Sequence, residues 1–92
     1  MNFHQQLMTI TMEECGELVQ VCSKMMRRFE TTEEALADTP VVASMRAKMI
    51  EEVGDVMCMI DLMIQHGYLT SEEINTRISE KMEKLRKWSD LT

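Results

Sequence analysis

From Phe3 to Phe29 the chain contains no proline and a single glycine, Gly16, and its apolar residues return every three or four positions: Phe3, Leu7, Ile10, then Val21 and Met25. That period matches the 3.6 residues of an α-helical turn, so the stretch predicts one long helix. At 1.5 Å per residue it spans on the order of 40 Å, which is long for a chain of 92 residues. A second periodic run extends from about Val41 to His66 through Met45, Met49, Val53, Val56, Met59, Ile60 and Met63, with Gly67 where a glycine after the helix C-terminus belongs. A third helix begins behind Thr70 as its N-cap, with Glu73 at the capping-box position, and presents Ile74, Ile78, Met82 and Leu85 before ending near Trp88. Glu30 to Pro40 breaks the period with Thr, Asp and Pro and reads as the connecting loop, within which Glu33 to Leu36 can form a helical turn. No segment alternates with the period of a strand and no segment repeats. The expected class is therefore all-α, an antiparallel helical bundle in a single domain over residues 1–92.

The first helix carries a second apolar strip, Met8, Met12, Cys15, Val19, Cys22 and Met26. Three helices cannot easily cover both strips, so self-association into a homodimer or homotetramer is the expected way to bury it. Eleven of the 92 residues are Met and only four are aromatic, which makes an adaptable core of flexible side chains.

Polar interruptions of the core-facing lines carry the chemistry. The first strip of helix one continues as Phe3, Leu7, Ile10, Glu14, Glu17, Val21, so two carboxylates break an otherwise apolar line. On the second helix the line Met45, Lys48, Glu52, Asp55, Met59, Leu62 also has two acids in its middle. Residues three apart lie one turn above each other, so each pair can offer two carboxylates to one ion, and antiparallel packing lets the pairs face each other. Buried, clustered carboxylates repel and would protonate unless a cation neutralised them. An all-oxygen donor set selects Mg²⁺, Mn²⁺ or Ca²⁺ over zinc or copper. A di-iron bundle would show a Glu-x-x-His pair, and neither His4 nor His66 stands three residues after a glutamate. The competing reading, a solvated helix face with intrahelical pairing, puts the acids opposite the apolar line and not on it. Glu13 and Glu51 flank the pairs as outer-face or supporting carboxylates. Gly16 and Gly54, beside the acids, cost helix stability that a close helix approach would explain.

The net charge of −6 argues against an extended nucleic-acid partner, whose phosphates require Lys and Arg, while admitting a small phosphorylated ligand through a cation. Three cysteines without a C-x-x-C pair predict neither a disulfide framework nor a zinc knuckle and suit a reducing cytoplasm. No apolar run approaches the roughly 20 residues of a membrane span, and no secretory leader is evident. No glycine-rich phosphate loop is present.

Glu13-Glu14-Cys15-Gly16-Glu17-Leu18 followed by Glu51-Glu52-Val53-Gly54-Asp55-Val56 resembles the paired E-x-x-E and E-x-x-D motifs of the MazG-like, all-α nucleoside triphosphate pyrophosphohydrolases, over nearly the whole chain. The resemblance implies a helical bundle completed by dimers or tetramers that hydrolyses an NTP or dNTP to the monophosphate and pyrophosphate. It implies Glu14, Glu17, Glu52 and Asp55 as ligands of Mg²⁺, with Mn²⁺ as the alternative ion. It further implies Lys81 and Lys84 as phosphate-binding groups, with Arg77 or Arg28 as further candidates, although Ser79 stands where the family often carries Asn. Within that mechanism Glu17 is the carboxylate expected to accept the proton of the attacking water. Phosphoribosyl-ATP pyrophosphohydrolase, with a similar helical fold, is the alternative enzyme. A non-catalytic helical interaction module is the alternative of another class. Trp88, at the end of an apolar face, reads as a packing anchor more readily than as a base-stacking platform.

Overall fold

The computed structural model describes residues 1–92 and contains four helices and no strand: α1 (Phe3–Arg28), α2 (Thr32–Ala35), α3 (Pro40–Gln65) and α4 (Ser71–Trp88). None is long and apolar enough to cross a membrane. The chain divides into two compact units, Met1–Asp61 and Leu62–Thr92.

Each helix begins and ends on an identifiable device. Asn2 caps α1 by accepting from the Gln5 backbone N–H at 2.8 Å, while the Gln5 side chain accepts from the Asn2 N–H at 3.1 Å. This capping box satisfies two of the donors that a helix start leaves without partners. At the other end Phe29 turns extended, and Arg27 and Arg28 in the last turn favour the helix dipole. The helical turn expected inside the connecting segment is α2, capped by the Thr31 side chain.

Pro40 differs from expectation, being the first residue of α3 and not the end of the loop. A first-turn residue has no intrahelical use for its N–H, so proline with its preset φ fits there. The Thr39 hydroxyl caps it by accepting from the Val42 N–H at 3.2 Å. At the far end of α3, Gly67 takes φ +81°. Tyr68 N–H donates to the Met63 carbonyl at 2.9 Å and Gly67 N–H to that of Ile64 at 3.1 Å. These two bonds define a Schellman motif, whose left-handed residue favours glycine. Three residues later the Thr70–Glu73 capping box opens α4 as the sequence predicts.

In the first unit α1 and α3 run antiparallel. Leu7 and Val21 on α1 and Met59 on α3 are the buried apolar side chains, all three on the predicted inward lines. Between them lies a charged residue, Glu52, only 2% exposed. The second strip of α1 is open, with Met12 68%, Val19 67% and Met26 75% exposed. Ile50, Val53 and Met57 on α3 are likewise exposed.

Two expectations need correction. A Cβ built on Gly16 or Gly54 meets nothing within 4 Å, so no close helix approach within the chain accounts for either glycine. Trp88 is 84% exposed and anchors no packing within the chain. On α4, Ile74 and Leu85 are partly covered, while Ile78 and Met82 remain exposed.

Candidate metal centre

The antiparallel pairing of α1 and α3 brings together the four acids that break their apolar lines. One carboxylate oxygen from each of Glu14, Glu17, Glu52 and Asp55 lies within 4.8 Å of the other three. Oxygen ligands of one Mg²⁺ or Ca²⁺ stand about 4 to 5 Å apart across the ion, given bonds of roughly 2.1 to 2.5 Å. Glu52 is buried, Glu14 and Asp55 are half-buried, and Glu17 is exposed.

The electrostatics are unbalanced as they stand. Glu14 Oε2 and Glu52 Oε2 are buried and have no hydrogen-bond partner. A buried acceptor without a donor carries the full cost of its desolvation. Burial, followed by the charge and hydrogen bond of Asp55, raises the pKa of Glu14. Glu17 is raised first by the hydrogen bond its protonated carboxyl makes to Glu52, then by the charges of Glu14 and Glu52. Glu52 is lowered, because the Lys48 ammonium donates to it. That ion pair has Nζ 2.9 Å from Glu52 Oε1, and a second contact reaches Glu51 Oε2 at 3.3 Å. Lys48 is correspondingly pushed up to about 12, chiefly by its hydrogen bonds to Glu52 and Glu51.

A divalent cation fits this arrangement. It would give the two orphaned oxygens a partner and offset the repulsion that adds to burial at Glu14 and to the Glu52 hydrogen bond at Glu17. The donors are all hard oxygens, without His or Cys.

Beside the cluster, Glu17, Gln20, Lys24, Lys48, Glu51 and Glu52 line a polar recess of about 380 Å³. A larger recess of about 460 Å³ at the α2 end, bounded by Met25, Leu36, Val42 and Met49, includes none of the four acids. Lys81 and Lys84 are exposed on α4, in the second unit. Arg77 and Arg86 there pair with Glu80 and Glu83, and Arg28 is exposed at the end of α1.

Sequence reasoning missed two cations of the recess, Lys24 and Lys48. For Lys48 the signal was present: it stands four residues before Glu52 on the same line, where a Lys–Glu pair can close. Lys24 carries no such mark, since only the packing of α1 on α3 places it at the recess.

A family model for the MazG nucleotide pyrophosphohydrolase domain matches residues 2–89. No curated protein and no solved structure matches the chain. With a match of nearly the full length and four acids converging from two antiparallel helices of an all-α fold, the chain belongs to the MazG nucleotide pyrophosphohydrolase family.

Proposed function

We propose that the protein is a Mg²⁺-dependent pyrophosphohydrolase that converts an NTP or dNTP to the nucleoside monophosphate and pyrophosphate. The observation that carries this reading is the pair of buried carboxylate oxygens, on Glu14 and Glu52, that lack any partner inside a four-acid cluster. Glu14, Glu17, Glu52 and Asp55 hold the metal, with Mn²⁺ as the alternative ion. When bound, the cation supplies charge for the phosphate oxygens and acidifies a water.

Glu17 accepts the proton of the attacking water. It is the exposed member of the four and lines the polar recess, so solvent and substrate reach it. The water oxygen bonds to phosphorus as the phosphoanhydride bond breaks, and pyrophosphate leaves with the bonding electron pair. Lys81 and Lys84 steady the polyphosphate. Lys24 and Lys48 at the recess add positive charge beside an otherwise acidic cluster.

The open strip of Met12, Val19 and Met26 supports assembly into a homodimer or homotetramer. Three exposed free cysteines fit a reducing cytoplasm.

The test is pyrophosphate release from a panel of NTPs, dNTPs and phosphoribosyl-ATP, with Mg²⁺ or with EDTA. Turnover of nucleoside triphosphates that EDTA abolishes is the expected result. Turnover of phosphoribosyl-ATP alone transfers the assignment to that substrate. No metal-dependent turnover anywhere leaves a helical interaction module.

A further inference from the structure

Glu52 is the most deeply buried charged residue, at 2% exposure. A carboxylate so placed needs a counter-charge, and the chain provides one from a single turn away. Lys48 Nζ sits 2.9 Å from Glu52 Oε1, while Glu52 Oε2 and Glu14 Oε2 keep no partner. The cluster is thus partly neutralised from within, by a cation beside the place a metal would take. Two cations at one carboxylate repel each other, so a metal engaging Glu52 must share it with Lys48 or displace it.

Lys48 also has somewhere to go. Its side chain is half exposed, and its second acceptor, Glu51 Oε2 at 3.3 Å, is an exposed group outside the cluster. A flexible four-carbon stem with three rotatable donors can keep Glu51 after giving up Glu52.

We propose that Lys48 is a built-in counter-ion that competes with the divalent cation for Glu52, and that Glu51 is the acceptor that retains Lys48 when the metal takes Glu52. The free protein then carries its buried acid at lower cost than without Lys48, and the site holds metal weakly when metal is offered alone. The inference rests on the metal reading of the four carboxylates.

The test is titration of the full chain with Mn²⁺ alone, read by calorimetry and by the electron paramagnetic resonance of free Mn²⁺, with circular dichroism as the check on folding. Lys48→Met removes the competitor and is expected to tighten Mn²⁺ binding by about tenfold or more, given the repulsion between neighbouring cations at an effective dielectric near 20. Lys48→Arg keeps the charge and stays near wild type. Glu51→Gln weakens Mn²⁺ binding several-fold, and this loss disappears in the Lys48→Met background. A purely structural Lys48 gives the opposite sign. Folded Lys48→Met that binds Mn²⁺ no tighter than wild type, while wild type binds it, overturns this inference and leaves the metal reading intact. A Glu51→Gln loss that persists without Lys48 is plain loss of charge and removes the role given to Glu51. Should Lys48→Met fail to fold, Glu51→Gln decides, and binding equal to or tighter than wild type overturns the inference. If no protein takes up Mn²⁺, the inference and the metal reading fall together.

Discussion

Glu17 on α1 and Glu52 on α3 approach each other across the helix pair, and their contact pushes the two carboxyls in opposite directions. Glu17 is raised, most by its hydrogen bond to Glu52, and Glu52 is lowered, most by Lys48 and further by Glu17. A pair of apposed carboxyls shares a proton more readily than it carries two charges. Lys48 decides which member keeps the charge. Glu52, buried and paired, stays ionised, as its proposed role of fixed ligand requires, while Glu17, exposed, is the member that can take up and release a proton.

That division predicts the phenotype of Glu17→Gln. The amide cannot take the water's proton, and kcat should fall by about 10²- to 10⁴-fold, the usual worth of a positioned general base. The acid limb of the kcat–pH profile should flatten as well, because the group whose protonation stops turnover is gone. Pyrophosphate release at saturating Mg²⁺ and nucleotide measures both. An unchanged acid limb assigns the base elsewhere.

Glu52→Gln tests the fixed ligand. The substitution retains size but removes the charge that Lys48 and the metal both use. Affinity for Mn²⁺ should drop by roughly 100-fold or more, since losing even an outer-sphere partner of a ligand typically costs 10- to 100-fold. Calorimetry on the free protein reads this directly, and wild-type affinity in the variant removes Glu52 from the ligand set.

Stability should depend on pH in a way the metal reverses. The folded pKa of Glu14 and Glu17 lies above the ordinary 4.5, so these groups bind more protons folded than unfolded above that value. Their contribution to stability therefore falls as pH rises from 4.5 through the raised values. Glu52, lowered, contributes stability above 4.5 that is lost only as pH falls through its folded value. Lys48, raised from 10.5 to about 12, contributes fully below 10.5 and loses its share on the way to about 12. In EDTA, Tm should decline as pH rises above 4.5 through the raised values of Glu14 and Glu17, and the decline should be shallower in Glu14→Gln. Saturating Mg²⁺ should remove it. Superimposable wild-type and Glu14→Gln curves in EDTA would show that Glu14 is not the source.

The open strip of α1 predicts assembly. A charge placed there should repel a second copy without touching Leu7, Val21 or Met59, which face the other way. Val19→Asp should lower the mass seen by light scattering, or raise the concentration at which the assembly forms, with little change in helix content. Unchanged mass places the interface elsewhere.

Gly67 supports the end of α3 through its backbone alone. At φ +81° an alanine is strained although its Cβ meets nothing within 4 Å, so Gly67→Ala should cost about 1 kcal/mol. Denaturant unfolding measures it, and a neutral result would mean that the turn relaxes to another conformation.

Much of this protein was legible in its residues because helical periodicity is local. The spacing of Leu7, Val21 and Met59 announced which faces turn inward, and Thr70 with Glu73 marked the start of α4, since a capping box lies within one turn. The four acids were legible for the same reason: two carboxylates on an apolar line are a contradiction visible in one helix at a time. Pro40 was misplaced because proline punctuates loops and opens helices alike, and only the Thr39 cap decides between the two. What depends on two helices at once required the tertiary structure. The register of α1 against α3 determines that Glu17 meets Glu52 and Glu14 meets Asp55, and the Lys48 ammonium, acting against burial, determines that Glu52 is the ionised member. Lys48 belongs to both levels: its distance along the helix made the ion pair available, but only the desolvation of Glu52 by the packed pair makes that lysine a counter-ion.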